Sequence, residues 1–127
     1  VEEKLKKGIM HHNFKELNVW QEAKNFAVFV YKVTMKFPKT EMYGITSQIN
    51  RAVISISSNI AEGAGRNSNK DFSRFIHIAL GSSFELETQL MIAYELSFIE
   101  EQSFQILIEK LNKIQKMLVN FNKHLQK

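Results

Sequence analysis

Cysteine is absent from the 127 residues, so the chain can hold no disulfide, no thiolate nucleophile and no cysteine-ligated zinc. Proline occurs once, at Pro38, and glycine five times, which leaves room for long uninterrupted helices. No apolar run approaches the roughly 18 to 20 residues that a membrane-spanning helix needs. Val1 to Asn13 has no apolar stretch of the secretion-signal kind, so the cytoplasm is the expected compartment, away from any membrane. Phosphate loops are missing too: Gly63-Ala64-Gly65 lacks the following glycine of a dinucleotide motif, and no Gly-Lys-Ser/Thr occurs. No serine stands in a Gly-x-Ser-x-Gly elbow. His11, His12, His77 and His124 form no His-x-x-x-His or Glu-x-x-His pair of the kind that builds a bundle metal site. The expectation is therefore no catalytic residue, no cofactor, no metal and no enzyme activity.

What is present is ordinary globular material. Hydrophobic residues make up 44% and charged residues 24%, enough apolar content for one domain with its own core. Residues 1–12 are charged, interrupted by Gly8 and poor in apolar side chains, and read as a flexible tail. Residues 13–127 read as a single helical domain.

Four helices follow from the spacing of apolar residues. In the first, Asn13 and Glu16 have the spacing of a capping box, and Leu17, Trp20, Ala23, Ala27, Val30, Tyr31, Thr34 and Phe37 form one face. Val19, Phe26, Phe29 and Val33 add apolar surface beside it, and Pro38 closes the element. The second has Thr40 as its expected cap and Ile45, Ile49, Val53, Ile56 and Ile60 as its stripe. Ile54 and Ile56 alternate with Ser55 and Ser57 as in a strand, but the helical spacing runs over more residues. Gly63 and Gly65 are expected to end this helix in left-handed geometry.

Ser68 with Asp71 opens a third helix, to about Ser97, with Phe72, Ile76, Ala79, Ser83, Leu86, Leu90 and Ala93 inward. A second series, Phe75, Ile78, Phe84, Met91, Tyr94 and Phe98, widens its apolar surface beyond one buried face. With Phe26 and Phe29 of the first helix, that excess points to self-association. The fourth is capped at Glu100, with Ile99 and Phe104 at staple spacing, and its seam is Phe104, Leu107, Leu111, Ile114, Leu118, Phe121 and Leu125. Short connections make the expected fold all-α, an antiparallel up-down-up-down four-helix bundle.

Charge supplies the candidate site. The formal net charge is +4, and no acid follows Glu109. Arg51, Arg66, Arg74, Lys110, Lys113 and Lys116 are the expected contacts for the phosphates of RNA or DNA. The competing reading is a protein-binding scaffold whose lysines serve solubility, since no base-reading module accompanies them. Ser55, Asn59, Glu62 and Glu85 are expected to form a structural polar network, the two glutamates meeting Arg66, Arg74 or Arg51, with Glu87 in solvent.

Several stretches together carry a family resemblance. They are Val19-Trp20-Gln21-Glu22-Ala23, Phe37-Pro38, Glu41-x-Tyr43-Gly44, Gln48-x-x-Arg51-Ala52, Ser58-Asn59-Ile60-Ala61-Glu62-Gly63 with Arg66, Phe72-x-Arg74-Phe75, and Gly81-Ser82 followed by Glu85-Leu86-Glu87-x-Gln89-Leu90. From Phe14 to Leu125 the sequence resembles the 23S rRNA intervening-sequence proteins, also called S23 ribosomal proteins. They are related to the accessory variability determinant of diversity-generating retroelements, whose basic pentamers work with a reverse transcriptase and nucleic acid. The resemblance implies a bacterial cytoplasmic four-helix bundle without catalytic activity, assembled as a ring-like homopentamer. Its partners would be RNA, DNA or a nucleic-acid-processing protein. Three positions depart from the family pattern: Ser57 replaces a usual proline, Ala64 a common aromatic, and Leu80 a common arginine.

Overall fold

Every regular element of the computed structural model, which describes residues 13–126, is helical. The expected tail of residues 1–12, with His11 and His12, lies outside the described residues. Four α-helices follow one another: α1 (Asn18–Thr34), α2 (Ile45–Ala64), α3 (Asn69–Glu95) and α4 (Glu101–Leu125). At about 1.5 Å per residue they are roughly 25 to 40 Å long. Each packs on its chain neighbours and α1 also meets α4, closing a four-helix bundle. No helix among the described residues is long and apolar enough to cross a membrane.

The starts of α1 and α2 differ from expectation. Asn13 accepts from the Lys15 N–H at 3.2 Å and caps a short 3₁₀ turn, Phe14–Glu16, rather than the helix itself. Leu17 is extended and separates that turn from α1. Gln21 Nε2 donates to the Lys15 carbonyl at 2.7 Å, and Phe14 packs edge-on against Trp20, so the turn is fastened to the helix it precedes. Thr40 likewise falls in a 3₁₀ turn, Lys39–Glu41, and α2 begins later, after Gly44. A short polar side chain serves a tight turn as readily as a helix end, as Asn13 does, whereas Thr40 makes no side-chain hydrogen bond among the described residues.

The inward face of α1 is also displaced. Val19, Ala23, Phe26, Val30 and Thr34 are buried, while Leu17, Trp20 and Ala27 are half-buried and Tyr31 is exposed. Phe26 is therefore core, not spare surface. Two overlapping apolar series run along this helix, and contact with both α2 and α4 selects between them. The helix also stops at Thr34, and Phe37 then turns inward against Phe98. The stripes of the other helices face the core as their spacing predicts, with Ile45, Phe104 and Phe121 half-buried against it. Ile49, Val53, Ile56 and Ile60 of α2, the seven-residue inward series of α3, and Leu107, Leu111, Ile114, Leu118 and Leu125 of α4 are all buried. Each large aliphatic side chain so enclosed contributes about 1.5–3 kcal/mol relative to exposure.

Gly63 has a different job from the one its type suggests. It lies inside α2, buried, and a Cβ there would stand 2.7 Å from both Phe72 Cδ1 and Phe75 Cβ. Its missing side chain is what lets α3 approach the α2 backbone. Gly65 ends α2 at φ −87°, outside the left-handed region.

The ends of α3 are well made. Ser68 accepts from the Asp71 N–H at 3.1 Å. At the far end Ser97 takes φ +67°, Phe98 N–H bonds the Ala93 carbonyl at 2.9 Å, and Ser97 N–H bonds that of Tyr94. This is the Schellman pattern with serine where glycine is usual.

Between helices, Thr34 Oγ1 bonds Asn50 Oδ1 at 3.0 Å, and the Ser55 and Ser82 hydroxyls lie 2.8 Å apart. Gln115 Nε2 donates to Glu87 at 2.9 Å, Ser73 bonds Asn122, and Lys113 pairs with Glu22 at 3.5 Å. Glu87 is thus half-buried and engaged with α4, not solvated as expected.

Two substitutions test these backbone assignments by thermal or urea denaturation. Gly63→Ala should cost about 1–3 kcal/mol, because neither phenylalanine can retreat without opening the core. Ser97→Gly should stabilise by roughly 0.5–1 kcal/mol by removing the left-handed penalty.

Candidate nucleic-acid interface

The sharp turn from α2 to α3 gathers charge because few residues separate the two helices. Arg66 follows the last turn of α2, and Lys70, Asp71 and Arg74 stand on the first turns of α3. Asp71 sits between the arginines: Arg74 Nη2 and Nε each lie 3.1 Å from its Oδ1, and Arg66 Nε lies 3.9 Å from its Oδ2. Arg66 Nη2 also meets Glu62 Oε2 at 3.0 Å, one helical turn back.

Beneath them is Phe75. Both guanidinium carbons lie 4.6 Å from the centroid of its ring, which is itself buried. Stacking on an aromatic ring orients a guanidinium while leaving its N–H groups available. Arg66 and Arg74 keep 40% and 60% of their side-chain surface exposed. An open cavity of about 550 Å³ lies over this corner, lined by Gly65, Arg66, Asn67, Ser68, Lys70, Asp71 and Arg74. Three cations face two carboxylates, and the free N–H groups of the α3 start add partial positive charge. Exposed ion pairs are weak, so an incoming phosphate can compete with Glu62 and Asp71 for the arginines.

The remaining expected contacts do not join this corner. Arg51 lies farther along the α2–α3 face, in a cleft with Glu85 and Gln89. Lys110 and Lys113 turn toward α1, the first over Phe29 at 5.4 Å and the second paired with Glu22. Lys116 lines the α3–α4 groove beside Leu80, Phe84 and Val119. The six basic residues therefore occupy several surfaces. Lys70, which completes the corner, carried no periodic signal, since its role depends on the turn geometry.

The expected polar network divides in the same way. Ser55 and Asn59 belong together: Asn59 Nδ2 donates to the Ser55 carbonyl at 2.8 Å and lies 3.0 Å from its hydroxyl. Ser82 is the third member, contributed by α3. Glu62 pairs with Arg66 outside that network, and Glu85 makes no ion pair or hydrogen bond among the described residues. Ser57 merely donates to the Ile54 carbonyl at 3.2 Å. Among the described residues no three His, Asp or Glu side chains converge as metal ligands.

On α3, Ile78, Phe84 and Met91 are 42%, 53% and 46% exposed, while Phe75 is buried and Tyr94 half-buried, as is Phe98 just beyond the helix. The wide apolar surface expected for this helix is thus partly absorbed by the core and partly left uncovered.

No curated protein matches the chain. Among solved structures, it is similar to a protein of unknown function from the S23 ribosomal protein family of Bacteroides thetaiotaomicron VPI-5482. The two share 26% identity and a TM-score of 0.75, over 83% of this chain and 98% of that one. The family model for 23S rRNA-intervening sequence proteins matches residues 15–120, spanning most of all four helices. With that match, the chain belongs to the 23S rRNA-intervening sequence protein family.

Proposed function

We propose that this chain is a non-enzymatic, self-associating bundle of the cytoplasm that binds RNA or DNA, alone or within a nucleoprotein. The observation that carries the reading is the pair Arg66 and Arg74, oriented over Phe75 and bordered by Lys70 beneath an open cavity. Such a corner suits phosphate oxygens: guanidinium forks take them in pairs, and the ring limits the freedom the arginines lose on binding. Its contacts are to backbone, so the expected binding is tolerant of sequence. The fit to an rRNA-related family is consistent with this chemistry.

The reading includes an up-down-up-down bundle of antiparallel neighbours. Paired contacts favour it, since Ser73 meets Asn122 whereas Glu87, further on, meets Gln115. It also includes assembly into a ring of copies, five by family resemblance, through the uncovered Ile78, Phe84 and Met91 of α3. A ring would repeat the basic corner around its circumference and multiply a weak single contact.

A salt titration of binding to single-stranded RNA and duplex DNA tests the function. With three cations per corner, log K should fall against log salt with a slope of about −3 or steeper on duplex. The double substitution Arg66→Ser and Arg74→Ser should lower affinity at least tenfold at low salt and flatten that slope, whereas Asp71→Asn should raise affinity. No binding at low salt would overturn the reading in favour of a protein scaffold. Assembly is checked separately by mass in solution at micromolar concentration. A multiple of the chain mass is expected, and Phe84→Glu should reduce it; a monomer would contradict self-association.

A further inference from the structure

We infer that the uncovered face of α3 docks on α1 of a second copy, an apolar stripe bordered by acids against one bordered by lysines. This rests on the self-association proposed above and adds the surface that α3 meets.

Charge is segregated along the chain. Between Arg74 and Lys110 there is no lysine or arginine, and the acids are Glu85, Glu87, Glu95, Glu100, Glu101 and Glu109. Between Glu22 and Glu41 the reverse holds: Lys24, Lys32, Lys36 and Lys39 stand without an acid among them. The first stretch contains most of α3 and the second most of α1.

Each helix presents exposed apolar residues beside those charges. On α3, Phe84, Met91 and Ile92 are 53%, 46% and 47% exposed. Phe84, Thr88, Met91 and Glu95 recur at four- and three-residue steps, so they form one outward stripe, with Glu85 beside it. On α1, Val28, Tyr31 and, just past the helix, Met35 are 50%, 38% and 80% exposed. They too recur at three- and four-residue steps, with Lys24 one turn before Val28 and Lys32 next to Tyr31. Glu85, Glu95, Lys24 and Lys32 make no ion pair among the described residues.

Within one copy the two faces never meet. Both α1 and α3 pack on α2 and α4 but share no contact among the described residues, so they are diagonal in the bundle and their outer stripes point apart. A second copy satisfies both at once, its apolar residues forming the centre of the contact and the opposite charges its rim. Like faces do not suit each other: α3 against α3 sets glutamates on glutamates, and α1 against α1 sets lysines on lysines. A nucleic acid suits the lysines of α1 but not the acidic face of α3. A contact between unlike faces leaves one of each still open, so it propagates from copy to copy until it closes.

Mass in solution across a concentration series, on the full chain freed of nucleic acid, tests the inference. The residues to be changed are all exposed, so helix content and thermal midpoint should hold in every variant. Glu85→Lys with Glu95→Lys should weaken association about tenfold or more at low salt, and so should Lys24→Glu with Lys32→Glu. All four changes in one chain should restore association to within about threefold, because the signs are exchanged and the match is kept. Val28→Glu should weaken assembly as Phe84→Glu does. Assembly that is sensitive to the α3 changes but indifferent to those on α1 would overturn the inference while leaving self-association intact. So would failure of the fourfold variant to recover. A wild-type monomer would overturn both. The Arg66→Ser, Arg74→Ser chain should assemble normally; loss of assembly there would overturn the inference by tracing the contact to the arginine corner.

Discussion

The bundle depends on one close approach, that of α3 to the α2 backbone at Gly63. Phe72 and Phe75 occupy the space a side chain would take there, and the consequences spread in two directions. Inward, Phe72 reaches across to α4, where its ring meets Phe121 edge-on with centroids 5.2 Å apart. Outward, Phe75 is held where Arg66 and Arg74 can lie over it. A single hydrogen atom in place of a methyl thus sets the spacing for part of the core and for the charged corner together. Interiors packed to near-crystalline density transmit such constraints because they have no slack to absorb them.

Farther along the same helix pair the chemistry changes from aromatic to polar. Ser55, Asn59 and Ser82 join the two helices through short side chains whose bonds are completed among themselves or with backbone. The α2–α3 joint thus has a polar patch beside its apolar stripe, whereas α4 is held mainly by a seam of leucines and isoleucine. Each of the other joints also carries a polar bond, Thr34 to Asn50, Glu87 to Gln115 and Lys113 to Glu22, so apolar burial supplies the energy and these bonds add directional preference.

How far the sequence foretells this depends on how many neighbours each helix has to satisfy. The α4 seam and the inward series of α3 are legible because one repeating set of positions is clearly the most apolar. In α1 two series compete: Ala23, Val30 and Thr34 lie inward as expected, but Val19 and Phe26 prevail over Leu17 and Trp20 only through packing that the sequence does not display. Cap residues mislead in the same way: Asn13 and Thr40 are sound helix starters, but Asn13 caps a 3₁₀ turn and Thr40 lies inside one. Gly63 is recognisable as special without revealing why, since an ending and a close contact both favour glycine. At the charged corner, Arg66 and Arg74 are visible as residues of the right type. Their shared ring and shared acid are visible only in three dimensions.

The corner from Glu62 to Phe75 has one further property. Its ion pairs and ring contacts span at most nine positions along the chain: Arg66 to Glu62, Arg66 to Asp71, Arg74 to Asp71, and both arginines to Phe75. Contacts of such short range require little loop closure, so their entropic cost is small. The α2–α3 hairpin therefore carries, within one short stretch of chain, every contact described for its two arginines.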